Sequence, residues 1–261
     1  MIYIIESNLF YQLYIYKKQA YLSQLNDSDM KFRAPSCSEC LNKNSSVFGL
    51  CTVNELDDLD SKKSGQALKK GEVLFQEGAT PLGLYCLNSG KVVLIKKNTE
   101  GKEQIIRIAN PGDPVGYRSL LAETSYSASA VVLEDAIVCF VPKDYFNDML
   151  QSNPLVESKL MKILSLALGE AEARMASMAL KPVRERLAEA LLLLNRVYNP
   201  ENKCIYFSVS RENLGNLVGT AKETAIRLLS EFKEEKILVT QGSKIKILDY
   251  DKLLRISHLH D

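Results

Sequence analysis

Two sets of side chains in this sequence are spaced for chemistry. The first is a series of thiols: Cys37-Ser-Glu-Cys40 is a C-x-x-C pair, Cys51 follows after ten intervening residues, and Cys139 lies in Ala136-Ile-Val-Cys-Phe-Val-Pro142. Six cysteines without a secretory signal point to reduced thiols serving metal, redox chemistry or packing, and away from a disulfide framework. Cys86, between Tyr85 and Leu87 in a strand-like run, and Cys204, ahead of Ile205-Tyr-Phe207, read as packing residues. Cys51, after Phe48-Gly-Leu50, reads equally as a ligand or as a small core residue.

The second set is Lys222, Glu223, Ile226 and Arg227. At helical spacing they share one face, while Ala221, Ala225, Leu228 and Leu229 recur on the other and face inward. A short charged stripe at the start of a helix suits the DNA major groove. There Arg takes guanine O6 and N7, Glu accepts from cytosine N4, and an aliphatic side chain meets nothing but a thymine methyl. The plainer reading is a solvated amphipathic helix, and what surrounds the stripe decides between the two.

Catalytic constellations are missing from the sequence. The two histidines, His258 and His260, sit at the C-terminal end, where no triad or metal set assembles around them. Gly112-Asp-Pro-Val-Gly116 is too short for a dinucleotide loop. An enzyme is therefore not expected. The rival class is a small-molecule-binding or scaffold protein whose helix-turn-helix is a protein contact.

The elements that must position these residues are legible in outline. Ser210 is placed to cap a first helix carrying Leu214 and Leu217, Gly219 supplies a turn that needs positive φ, and a second helix is predicted from Thr220, with Thr220 and Glu223 as a capping box. Ile237 to Thr240 and Ile245 to Ile247 read as two strands around a glycine turn, a wing with Lys244 at its tip for a phosphate. Upstream, Asn153-Pro154 opens a helix in which Met161, Leu164, Leu168, Ala171, Met175 and Met178 fall at alternating three- and four-residue intervals, a heptad seam ending near Pro182. Such a seam between two domains predicts a two-fold dimer, two recognition helices one DNA turn apart and an inverted-repeat operator. Residues from about Glu55 to Met149 carry turn signals every ten residues or so, the pattern of a barrel or roll.

Composition limits the rest. With 261 residues, 46% hydrophobic and 25% charged, the chain can bury a sizeable core in two domains. Net charge is +1, and residues 209–261 carry nine Lys or Arg against eight Asp or Glu, so phosphate contacts must come from placement and from doubling in a dimer. No apolar run reaches the ~18 residues of a membrane span, and a cytoplasmic protein is expected. Tyr3, Phe10, Tyr11, Tyr14, Tyr16 and Tyr21 crowd the first 29 residues, which read either as a sticky helical extension or as a stretch upstream of a true start at Met30.

Taken in order, Gly83-Leu-Tyr-Cys-Leu-Asn-Ser-Gly-Lys-Val, Pro111-Gly-Asp-Pro-Val-Gly116, the long helix, Glu185-Arg-Leu-Ala188 and the helix-turn-helix resemble the Crp/Fnr transcription regulators, from about Pro35 to His258. The resemblance implies an α+β chain with four parts. These are an N-terminal extension (1–34), a sensory β-roll like a cyclic-nucleotide-binding domain (35–150), a dimerisation helix (151–182) and a winged helix-turn-helix (183–261). It further implies a homodimer that binds double-stranded DNA at TGA-type half-sites and engages RNA polymerase, with Glu223 and Arg227 as the base-reading pair and Ile226 where specificity varies. Cyclic-AMP-binding members carry a carboxylate and a later Arg where this chain has Tyr117 and Tyr126-Ser127-Ala128, which argues against cyclic AMP. In the oxygen-sensing branch, three N-terminal cysteines and one in the roll hold an iron–sulfur cluster. The corresponding set here is Cys37, Cys40, Cys51 and Cys139, with a longer gap before the third. Thiol redox chemistry or zinc at Cys37 and Cys40 is the other reading of the same residues.

Overall fold

The computed structural model describes residues 35–198 and 206–258; the aromatic N-terminal stretch, the start at Met30, Cys204 and His260 lie outside them. Turns over 35–51 lead to helix α1 (Val53–Lys62). Its N-terminus is closed by a reciprocal box in which the Thr52 hydroxyl accepts from the Glu55 N–H and the Glu55 carboxylate accepts from the Thr52 N–H. Asn153 Nδ2 donates to the same carboxylate at 2.8 Å, joining this helix to the start of the long one.

The roll follows: β1 (Ser64–Leu68), β2 (Val73–Phe75), β3 (Gly83–Lys97), β4 (Glu103–Ala109), β5 (Pro114–Val115) and β6 (Ser129–Pro142), with α2 (Tyr117–Leu121) between the last two. The strands form one antiparallel sheet of order β1-β6-β3-β4, with β2 added to β6 and β5 to β3. The long β3 and β6 pair from Gly83↔Pro142 to Ile95↔Ser129, and their register shifts around Ser89 and Lys91. Such irregularities bend a ribbon. Gly90 sits at that bend with φ +82°, where an added Cβ would lie 2.3 Å from the Asp135 carbonyl, so a side chain is excluded twice over. Phe75, Leu87, Val92, Val115, Tyr126, Val132 and Val138 fill the roll.

Helix α3 (Lys143–Ser152) runs into α4 (Pro154–Leu180), which Asn153 caps by accepting from the Leu155 and Val156 N–H groups, with proline in the first turn. Lys181, ahead of Pro182, ends it. Along the expected heptad seam, Met161, Leu168 and Met175 are 59%, 61% and 69% exposed, an open apolar stripe in a single chain. The remaining seam positions are partly spent within the chain: Leu164 packs against the core under α1 and α3, Ala171 lines a cavity against the roll, and Met178 lines a groove against the next helix.

That next helix is α5 (Val183–Tyr198), followed by β7 (Phe207–Ser208), α6 (Arg211–Val218), α7 (Lys222–Glu234), β8 (Leu238–Gln241), β9 (Lys244–Ile247) and α8 (Tyr250–Ser257). Leu187, Leu191, Leu214, Leu228, Leu229, Phe232, Ile237 and Ile245 form the core of this part, which continues into Val93, Ile95 and Ile105 of the roll. The wing strands lie where the sequence places them, around Gly242 at φ +58°. β7 adds a third strand on β9, one with no signature in the sequence because two residues carry no periodicity.

Candidate DNA interface and thiol cavity

Ser210 caps α6 as expected, its hydroxyl accepting from the Asn213 N–H at 3.0 Å. Gly219 ends the helix in the left-handed region at φ 72°, ψ 43°. Gly215 lets the turn close, since a Cβ there would stand 3.0 Å from the Thr220 carbonyl.

The expected capping box at Thr220 does not form. The Thr220 N–H is used in the turn, donating to the Gly215 carbonyl, and α7 starts at Lys222 with Ala221 as an N-cap that has no side-chain bond. Glu223 therefore falls at the second helical position, out of register for a box that needs the third. Ala221, expected inside, is exposed. The consequence favours base reading, because Glu223 is not held by its own backbone.

Lys222, Glu223, Ile226 and Arg227 all stand exposed on one face of α7, while Ala225, Leu228, Leu229 and Phe232 anchor the other. Arg227 pairs with Glu231, one turn on, at a site where the two side chains are 66% and 36% exposed. Exposed pairs of this spacing contribute about 0.3–0.5 kcal/mol, so Arg227 can exchange Glu231 for a base edge at little cost. Lys244 is exposed at the first position of β9. Arg211, which has no helical-stripe signature to mark it in the sequence, donates to the Gly242 carbonyl at 2.8 Å and ties the wing tip to the start of α6. Its other terminal nitrogen, Nη1, is buried with no hydrogen-bond partner.

Within the roll, a cavity of about 140 Å³ lies between β-strand residues Phe75 and Leu94, the α2 segment and Ala171 and Arg174 of α4. Tyr117, buried, accepts from Arg107 Nη1 at 3.2 Å, and Arg118 donates to Ser127 at 3.0 Å. The Phe75 and Tyr126 rings stack with centroids 3.7 Å apart. Beside this cavity, then, stands a phenol already bonded to an arginine. Arg174 also donates to the Ile106 carbonyl at 2.6 Å and lines the groove between α4 and α5, so one side chain touches both sensor and connector.

A second cavity, about 40 Å³, opens under the 37–40 turn. Its walls include Cys37, Cys40, Cys86 and Cys139, with Lys63 and Asn88. Three of the four expected ligands are thus brought together; Cys51 is not among the lining residues but lies buried among Val47, Phe48, Leu56 and Phe146. Lys63, 3% exposed, bonds Asp60 at 2.6 Å and Cys37 Sγ at 2.9 Å. Burial pushes the Cys37 thiol up to about 12 despite that lysine, and raises Cys86 and Cys139 as well. Protonated thiols are poor nucleophiles, and binding a thiophilic metal would displace their protons. Among the described residues, no three Cys, His, Asp or Glu side chains gather tightly enough for a single metal ion. The thiols surround a space, and four soft donors of that kind suit an iron–sulfur cluster.

A sensory roll joined by a long helix to a winged helix-turn-helix defines a DNA-binding regulator. Residues 66–153 match the cyclic nucleotide-binding domain, and residues 185–256 the Crp-like helix-turn-helix domain. The chain is 29% identical over 237 residues to the transcriptional activator protein Anr of Pseudomonas aeruginosa, covering 87% of this chain and 96% of that one. It is 29% identical over 224 residues to the anaerobic regulatory protein of Aggregatibacter actinomycetemcomitans, covering 82% and 87%. Among solved structures, FixK2 from Bradyrhizobium japonicum shares the fold with a TM-score of 0.67 at 24% identity, over 74% of this chain and 96% of that one. The chain belongs to the Crp/Fnr family of transcription regulators.

Proposed function

We propose that this protein is a homodimeric, sequence-specific regulator of transcription that reads an inverted-repeat operator and responds to a redox or oxygen signal received in its roll. The observation that carries the reading is the exposed quartet Lys222, Glu223, Ile226 and Arg227 on a helix whose opposite face is fully packed. Glu223 and Arg227 read bases, Ile226 offers only a methyl contact, Ser210 and Thr220 set the helix-turn-helix against the backbone, and Lys244 meets a phosphate. The exposed Met161, Leu168 and Met175, with Leu164, Ala171 and Met178 beside them, form the seam against a second copy. RNA polymerase is the proposed protein partner, in line with a relative named as a transcriptional activator. Like its DNA, the protein belongs in the cytoplasm; among the described residues no helix is long and apolar enough to cross a membrane. Its role is regulatory, not catalytic.

Cys37, Cys40 and Cys139 are the proposed thiols for an iron–sulfur cluster, which when bound supplies a redox-active, oxygen-reactive centre. The residues around them orient and shield: Lys63 holds positive charge beside Cys37, and Asn88 Nδ2 donates to Cys40 Sγ at 3.3 Å. Cyclic AMP is disfavoured as effector by the Tyr117–Arg107 bond and the stacked rings of the larger cavity. A signal in the roll shifts the pairing of the two α4 helices, and the pairing sets the distance between the two recognition helices. A mobility-shift assay on inverted-repeat TGA-type DNA tests the reading. Wild type should bind, and Arg227→Ala should lose most of that affinity; unchanged binding by the variant would refute the base-reading role.

A further inference from the structure

Cys86 and Cys139 stand directly opposite one another in the β3–β6 pairing. Residues so paired in an antiparallel ladder project to the same face, with Cβ atoms about 4.5–5.5 Å apart. The C-x-x-C turn is fastened over that face: Asn42 Nδ2 donates to the Asn88 carbonyl at 2.6 Å, and Asn88 Nδ2, two residues beyond Cys86, donates to Cys40 Sγ at 3.3 Å. On the other flank, Lys63 holds Cys37. Cys51, 7% exposed, lies in the apolar cluster at the foot of α1 against which Cys37 and Cys86 also pack, but it does not line the cavity.

We infer that Cys86, and not Cys51, is the fourth thiol of the sensing site, so that Cys37, Cys40, Cys86 and Cys139 together hold the iron–sulfur cluster. The inference rests on the cluster reading given above and assigns its ligands. Two thiols come from the turn over the sheet and two from its neighbouring long strands, so the cluster would bridge the N-terminal segment to the roll. A single zinc ion fits less well. Zn–S bonds of about 2.3 Å would draw four sulfurs to about 3.8 Å from one another, a convergence that these side chains do not make. A multi-iron cluster accepts its thiolates around a larger body, and the Lys63 ammonium offsets part of the negative charge that four thiolates bring.

The test is anaerobic reconstitution of the full chain with ferrous iron and sulfide, reading visible absorbance and the iron and sulfide bound per chain. Wild type and Cys51→Ala should both load, whereas Cys86→Ala and Cys139→Ala should lose the visible band and at least about tenfold in bound iron. Circular dichroism of the metal-free forms checks that the variants are folded. Loading by Cys86→Ala together with failure of Cys51→Ala would overturn the ligand assignment while leaving the cluster reading intact. A wild-type chain that takes up neither iron nor sulfide, or takes up zinc alone, would overturn both.

Discussion

The proposed recognition face and the thiol cavity solve opposite problems. On α7 the working side chains are exposed, and Arg227 is held by a single surface ion pair, so the face stays free to meet a partner that arrives from outside. In the cavity, the polar groups beside the thiols are already bonded inward, Lys63 to Asp60, Cys37 and the Pro35 carbonyl, and Asn88 to Cys40. An output surface gains from weak internal ties, because strong ones would have to be broken on binding. A sensor built on buried thiols gains from the reverse, because the frame must hold donors in place through changes of state.

Substitutions at the two places should therefore separate stability from affinity. The largest effect on folding is expected from Lys63→Ala, which removes the ammonium from Asp60 and leaves its carboxylate only the Ser36 hydroxyl and the Cys37 N–H. Losing a charge-assisted hydrogen bond of this kind costs about 1.5–3 kcal/mol, read as a lower urea midpoint, and a loss under about 1 kcal/mol would mean that solvent screens the pair. Arg227→Ala should do the converse: about 1–3 kcal/mol of DNA affinity lost per half-site, with an unfolding midpoint close to wild type. Ser210→Ala removes a cap that is made and should cost about 1 kcal/mol of stability by denaturant titration. Lys244→Ala should weaken binding to all DNA sequences alike and reduce the salt slope of binding by about 1. Smallest of all is Thr220→Ala, expected within about 0.5 kcal/mol of wild type because its side chain caps nothing; a loss matching Ser210→Ala would restore the capping box to Thr220.

How far the sequence reveals these sites follows from how local they are. The recognition stripe lies within a single helix and repeats with its period, so Lys222 to Arg227 are legible from the chain of letters alone. The start of α7 is not, because Thr220 is claimed by a turn whose tightness depends on Gly215, five residues earlier. Cys86 stays hidden for a stronger reason. Its relation to Cys139 is a register between two strands far apart in the chain, and register is decided by the bend at Gly90 and the irregular pairings around it. Spacing favours Cys51, which is nearer the C-x-x-C in sequence yet does not line the cavity. The roll is recognisable from its turns, but the Tyr117–Arg107 bond beside its cavity joins a strand to a helix across the fold and leaves no periodic trace.

One contact bears on how such proteins diversify. Arg174 grips β4 through the carbonyl of Ile106, a group that every residue type provides. The roll's strand can then exchange its side chains from lineage to lineage, adapting to new signals, without severing the link to the long helix. The tie between roll and helix is made to the backbone, and chimaeras that graft a foreign roll onto this helix should keep it as long as the strand edge stays in place.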